Sequence, residues 1–177
     1  MTRTSAPERV RWAVEVLDVR PSDEILEIGP GPGIAVGLVC HRLVDGHITA
    51  IDRSATAVEW ASRRNAEHIA LGKAVVEQAD LTDLATDPRR FDKIFAINVN
   101  LFWVQPDRPH GSIVAGLLRP GGRLYLFYET PASTKTDQVV HIVETALRRH
   151  GFTTSSTSGP ATRCVEAWLG AGRSGGS

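Results

Sequence analysis

Ile25-Leu26-Glu27-Ile28-Gly29-Pro30-Gly31-Pro32-Gly33 decides how this chain folds. An apolar run of strand character carries one carboxylate, then turns through three glycines spaced two apart. Ile34-Ala35-Val36-Gly37-Leu38-Val39-Cys40 follows and can open a helix at once. A strand, a glycine turn and a helix N-terminus together form a nucleotide-cofactor site. Residues without a Cβ let a ligand approach the backbone closely. As structure alone, the same run is a strand-to-helix turn.

Glycine spacing discriminates between cofactors. A dinucleotide fingerprint requires G-x-G-x-x-G. Counted from Gly29 the third glycine position is Ile34, and counted from Gly31 it is Val36, so both registers fail. No Tyr-x-x-x-Lys pair supports a nicotinamide-dependent reductase either. The pattern present is Glu-x-Gly-x-Gly-x-Gly. A pyrophosphate beside that carboxylate would be repelled, whereas a cationic amino group and a sulfonium would be attracted. In this motif the chain resembles the class I S-adenosylmethionine-dependent methyltransferases. The resemblance implies that Gly29, Gly31 and Gly33 let the methionine part of the cofactor lie against the backbone. It also implies that Glu27 attracts the cofactor ammonium, directly or through water. Glu27 can equally hold the glycine loop by accepting backbone N–H groups, because a carboxylate has several acceptor sites.

Two further acids follow in order. His47-Ile48-Thr49-Ala50-Ile51-Asp52 reads as a second strand ending in an acid, about 20 residues past the glycines, where ribose hydroxyls are bound. Asp52 can also be a turn or cap residue before the helix opened by Ser54. Ala74-Val75-Val76-Glu77-Gln78-Ala79-Asp80-Leu81 reads as a third strand. The resemblance implies that Asp80 accepts from the adenine amino group and that the Leu81 N–H meets a ring nitrogen. It places Arg53 among the cofactor contacts as well. Asp83 is read as a helix-start residue.

Strand and helix patterns alternate from residue 7 to about residue 150, which argues for a parallel sheet covered on both faces. Residues 7–17 have helical spacing at Val10, Val14 and Leu17, with Pro7 suited to a first turn. Residues 34–43, 54–71 and 111–118 are further helix candidates. Residues 91–97 read as strand four, 119–122 as a turn and 123–129 as strand five. Residues 136–150 form a helix stopped by Gly151. Residues 152–157 and 162–169 are strands with no room for a helix between them, hence antiparallel. The resembled fold ends in such a hairpin, and Leu117 to Leu124 resembles its segment before strand five. The expected fold is α/β: a doubly wound, mostly parallel seven-stranded sheet with a C-terminal antiparallel strand hairpin. A single domain is expected over 1–169, with an N-terminal helix at 7–20, a cofactor-binding core at 24–130 and the C-terminal helix and hairpin at 131–169. The Gly- and Ser-rich residues 170–177 are expected to be a flexible tail.

Composition narrows the partners. Lys plus Arg equals Asp plus Glu, at 20 each among 177 residues, which argues against a nucleic-acid substrate. Hydrophobic residues make up 42%, enough for a real core, and no run is long enough to span a membrane. Residues 1–7 show no apolar signal-peptide core. Cys40 and Cys164, distant in sequence and set in apolar segments, are expected to be reduced core residues of a cytoplasmic protein.

Ligands of an open parallel sheet bind beyond the carboxyl ends of its strands. That edge would hold residues 27–33, Asp52, Asp80, residues 98–103 and residues 128–130. By resemblance, Asn98 binds the cofactor amino group through its backbone carbonyl. The acceptor-side candidates are Asn100 to orient an acceptor, Phe102 and Trp103 to wall an apolar pocket, and Tyr128 or Glu129 at the end of strand five. The two aromatics can alternatively just cover the sheet edge. Asn98-Val99-Asn100-Leu101-Phe102-Trp103 lacks the Pro-Pro-aromatic form of methyltransferases acting on amide or base nitrogen. No histidine lies in these segments; His41, His68, His141 and His150 read as surface positions on helices. No metal-ligand cluster is expected. A small-molecule acceptor, S-adenosyl-L-methionine as cofactor and S-adenosyl-L-homocysteine as product follow from the resemblance. A non-catalytic cofactor-binding module is the alternative. The segment 131–135 is a short link, which leaves three readings: a large or partner-held substrate, a lid from a second subunit in a homodimer, or a closing N-terminal helix. Trp12 and Trp60 can contribute to an interface, though core or surface packing is the commoner role of such residues.

Overall fold

The computed structural model describes residues 6–129 and 133–170. Thr130, the start of the link at 131–135 and nearly all of the Gly- and Ser-rich tail lie outside the described residues. The elements in order are α1 (Glu8–Val16), β1 (Glu24–Ile28), α2 (Ile34–Cys40), β2 (His47–Asp52), α3 (Ala55–Arg64), α4 (Ala66–Ala70), β3 (Ala74–Gln78) and a 3₁₀ helix (Leu81–Thr86). They continue with β4 (Phe91–Ile97), α5 (Leu101–Val104), α6 (His110–Leu117), β5 (Leu118–Tyr128), α7 (Ser133–Arg149), β6 (Phe152–Gly159) and β7 (Thr162–Leu169).

One seven-stranded sheet has the order β3-β2-β1-β4-β5-β7-β6. β1 pairs in parallel with β2 and β4, and β5 runs parallel to β4. β7 inserts antiparallel between β5 and β6. The order reverses between β1 and β2 on one side and β4 on the other. That reversal is the switch point where open α/β sheets bind ligands.

Strand alternation sends neighbouring side chains to opposite faces. Ile25, Ile48, Phe95 and Phe127 pack with Val10, Val14, Val36 and Val39 of α1 and α2. Leu26, Ile94, Leu124 and Leu126 pack with Phe102, Val114, Val143 and Leu147 of α5, α6 and α7. Trp12 meets Phe127 edge-on at 5.7 Å, and a Cβ on Gly159 would collide with its ring. Trp12 is thus half-buried against the chain itself, while Trp60 is exposed. Both cysteines are free and buried.

Several segments differ from the pattern read in the sequence, the short helix α5 among them. The helix expected over 54–71 is two helices, broken at Asn65. Ser54 does cap the first of them, accepting from the Ala57 N–H at 3.3 Å. The turn expected at 119–122 is a bulge within β5. Phe91 pairs with Leu118 and Lys93 with Arg123, so Asp92 alone faces the four intervening residues. The third strand stops at Gln78, because Asp80 caps a 3₁₀ helix whose first turn holds Asp83, the residue read as a helix start.

Candidate cofactor and acceptor site

A cleft of about 300 Å³ lies over the carboxyl ends of β1 to β4. Gly29, Gly31, Asp52, Arg53, Asp80, Leu81, Asn98 and Asn100 line it, with apolar walls from Ile51, Val99 and Leu101.

The glycines divide the work. Gly29 has φ +71°, and a Cβ there would sit 2.7 Å from Cγ2 of Val99. Gly31 has φ +51° and open space where a side chain would stand, so its backbone is bare toward the cleft. Gly33 departs from the expected contact. It does not line the cleft; a Cβ there would meet Ala61 Cα at 2.8 Å and Asn65 Nδ2 at 2.7 Å. The third glycine serves the close packing of α3 against the loop.

Glu27 is 1% exposed and falls on the α2 side of the sheet, behind the cleft lining. Its Oε2 is buried without a partner. Burial, with the Asp52 charge as a second cause, pushes its carboxyl up to about 8. A buried acceptor lacking a donor is what a cofactor ammonium, reached directly or through water, would satisfy.

Asp52 serves the turn before α3 and stands at the cleft. Its Oδ1 accepts from the Ser54 N–H at 2.9 Å, while the residue also lines the cleft. Asp80 spends Oδ1 on the Thr82 N–H at 3.0 Å and the Thr82 hydroxyl at 2.9 Å. Those bonds, the backbone one foremost, hold its carboxyl below its usual value. Its Oδ2 stands 3.6 Å from Nε of Arg53. Asp83 completes a capping box by accepting from the Asp80 N–H. Leu81 begins the 3₁₀ helix, so its N–H has no partner within that helix. Asn98 sits at φ +56°, its N–H donating to Phe127 O and its Oδ1 accepting from Glu129 N. Its side-chain oxygen is thereby engaged.

The acceptor-side candidates are not brought together. Asn100 lines the cleft. Phe102 is buried in the core below α5 and meets His110 edge-on at 5.9 Å. Trp103 is 37% exposed and outside the cleft lining. Tyr128 is corrected most clearly. Alternation puts it on the same face as Leu124 and Leu126, it is 4% exposed, and burial pushes its phenol far up. Glu129 is exposed and 3.3 Å from Nε of Arg9 on α1.

Some residues at this edge escaped the sequence reading. His110 is buried on α6, with Nδ1 unpartnered and Asp80 near enough to favour its cation. Burial is nevertheless the larger effect and lowers its pKa. Its distance from the strand ends in sequence gave no sign of this. His41 and His141 are exposed, while His68 and His150 are half-buried. Asn65 reaches the glycine loop from 32 residues away. An asparagine within an otherwise helical run was the available signal, since this residue favours caps and breaks.

The doubly wound fold, the glycine turn and the acids at the switch point define a nucleoside-cofactor protein of the Rossmann-like class. The chain matches the methyltransferase-domain family over residues 25–122. It belongs to that family, whose cofactor is S-adenosylmethionine. It is 31% identical over 85 residues to YrhH of Bacillus subtilis strain 168, named as a methyltransferase, an alignment covering 48% of this chain and 46% of that protein. It is 32% identical over 123 residues to trans-aconitate 2-methyltransferase of Paracidovorax citrulli, covering 66% of this chain and 44% of the relative. The chain thus spans less than half the length of these curated relatives. In fold it is similar to a precorrin-6y C5,15-methyltransferase of Geobacter metallireducens, with a TM-score of 0.73 at 14% identity over 96% of this chain and 93% of the other. No helix among the described residues is long and apolar enough to cross a membrane.

Proposed function

We propose that this chain transfers a methyl group from S-adenosylmethionine to a small-molecule nucleophile by in-line displacement. The observation that carries the reading is the convergence of Gly29, Gly31, Asp52, Asp80 and Asn98 on one cleft at the switch point. In this reading Gly29 and Gly31 accept the methionine part, with Glu27 behind them for its ammonium. Asp52 takes the ribose hydroxyls, and Asp80 with Leu81 takes the adenine edge. When bound, the cofactor supplies an activated methyl electrophile.

What remains for the protein is alignment, which contributes up to about 7–11 kcal/mol for well-oriented reactants. No described acid or histidine stands in the cleft as a free general base apart from Asp52 and Asp80, which the cofactor would occupy. The acceptor atom is then one that needs little base assistance: a nitrogen, a thiolate, a phenolate or a carboxylate. The trans-aconitate enzyme among its relatives is consistent with a small acceptor. The balanced charge supports the same reading over nucleic acid.

Calorimetric titration with S-adenosylhomocysteine, with NADH as the comparison, tests the cofactor assignment. Micromolar binding of the former alone is expected. Asp52→Ala should weaken that binding by about tenfold or more, since charge-assisted hydrogen bonds are worth about 1.5–3 kcal/mol each. Unchanged affinity in the folded variant would place the ribose elsewhere. A non-catalytic binding module is the second reading, favoured by the dispersal of Phe102, Trp103, Tyr128 and Glu129 away from the cleft. Methyl transfer from labelled cofactor to any acceptor would exclude it.

A further inference from the structure

The helix break at Asn65 has a physical purpose. Gly33, the residue that caps α2, and Gly37 within that helix both face Asn65. Neither carries a Cβ, and the slot between them is filled by the Asn65 amide. A Cβ on Gly33 would lie 2.7 Å from its Nδ2, and one on Gly37 would lie 3.0 Å from its Oδ1. Asn65 is 2% exposed. Its Nδ2 donates to Gly33 O and to Ala61 O, each at 2.9 Å. The helical bond from Gly37 N to Gly33 O is long, at 3.5 Å, so the asparagine is the closer donor to that carbonyl. Arg64, the preceding residue, donates from Nε to Pro32 O at 2.8 Å. Two consecutive side chains therefore grip two consecutive carbonyls of the glycine loop.

We propose that Arg64 and Asn65 are positioning residues that clamp the glycine loop from behind, fixing the Gly31–Gly33 backbone in its cofactor-receiving conformation. The inference deepens the cofactor reading above and rests on it. Neither side chain lines the cleft; both act through the loop. A peptide plane held by its carbonyl cannot rotate, so the left-handed geometry at Gly33, flanked by both held planes, persists without a ligand, and the Gly33 N–H bond to Pro30 O carries that hold across Gly31. Freed of the clamp, three φ-permissive glycines would sample other conformations, and binding would have to reorder them.

The test uses Asn65→Ala, Gly37→Ala, Arg64→Ala and Arg64→Lys, with Val143→Ala on α7 as a control of comparable destabilisation away from the cleft. Gly37→Ala is the sharpest of these. Alanine is the better helix former, so a slot of no importance predicts a neutral or stabilising change. The clamp predicts loss, because the new methyl displaces the Asn65 amide. Asn65→Ala and Gly37→Ala should each weaken S-adenosylhomocysteine binding about tenfold, the scale of losing a buried hydrogen bond with its loop order. Arg64→Ala should lose less, and Arg64→Lys should recover most of it. In the free protein, amide exchange at Gly33, which donates to Pro30 O at 2.9 Å, should accelerate in Asn65→Ala but not in Val143→Ala. Affinity within about twofold of wild type for Asn65→Ala, or an equal loss in Val143→Ala, would overturn the proposal. Wild-type protein that fails to bind S-adenosylhomocysteine would remove the cofactor reading instead. Exchange at Gly33 would then decide the clamp by itself, unchanged exchange overturning it.

Discussion

Glu27 shows how one residue can oppose stability in favour of binding. Its carboxyl is raised to about 8, with burial as the main cause. The folded state therefore keeps a proton that the unfolded chain releases near its ordinary value of 4.5. Stability contributed by the protonated acid is full below about pH 4.5 and is lost as pH rises toward 8. Glu27→Gln carries no such titration. Its melting temperature should match the wild type near pH 5 and exceed it by several degrees near pH 8, about 1 kcal/mol or more in a domain of this size. Melting curves that stay parallel across that range would show that Glu27 is not buried as a neutral acid. The same variant should lose affinity for the ammonium-bearing ligand, which sets the two effects in opposite directions. Asn98 is a second residue with a local conflict. Its left-handed backbone suits asparagine or glycine, and its Oδ1 holds the Glu129 N–H at 2.8 Å. Asn98→Ala should cost about 1–3 kcal/mol from backbone strain and the lost bond together. Asn98→Gly relieves the strain and should cost less. Chemical denaturation of both variants separates the two contributions, and equal costs would refute the strain argument.

Elements are tied at their far ends by a buried ion pair. Lys93 on β4 contacts Asp23 Oδ2 at 2.5 Å and donates to Asp18 O at 2.7 Å, fixing the turn that precedes β1. Lys93→Met should destabilise by about 3–5 kcal/mol, because it leaves a carboxylate buried without its partner. Adding Asp23→Asn should recover part of that loss; a double variant worse than Lys93→Met alone would argue that Asp23 is solvated once freed. β1 and β2 were readable because each is a short, mostly apolar run ended by glycine or an acid, as at Ile28 and Asp52. The bulge in β5 was not, since Pro120, Gly121 and Gly122 give the same local signature whether they end pairing or loop out of it. The break at Asn65 had a local signal in the asparagine itself, but the slot beside α2 that receives its amide is a tertiary fact absent from the local pattern. The cofactor side of the candidate site was legible because glycines and acids occupy fixed offsets from strand ends. The acceptor side was not. Tyr128 and Glu129 are neighbours, so sequence adjacency could not say that alternation buries the first and leaves the second beside Arg9.

At the scale of the whole molecule, the cleft and the C-terminal hairpin lie at opposite ends of a single chain of strand pairings. β1 pairs with β4, β4 with β5, β5 with β7 and β7 with β6, without an interruption in the sheet. The apolar layer beneath α5, α6 and α7 is equally continuous, running from Leu26 and Ile51 through Leu126 to Val165 and Phe152. Nothing in that arrangement lets the residues after β5 unfold alone at little cost, since β7 is an interior strand held on both edges. The described residues should therefore melt as one cooperative unit. A ligand that binds only the folded cleft shifts such a unit as a whole. S-adenosylhomocysteine at 100 times its dissociation constant should add about 2.7 kcal/mol and raise the single calorimetric transition by about 2–6 °C. NADH at the same concentration should leave it in place. Two transitions, with only one responding to the ligand, would divide the cofactor core from the C-terminal helix and hairpin. Residues 131–169 would then be a separate folding unit despite the unbroken sheet, and pairing between β5 and β7 would have to be weaker than its six-residue register implies.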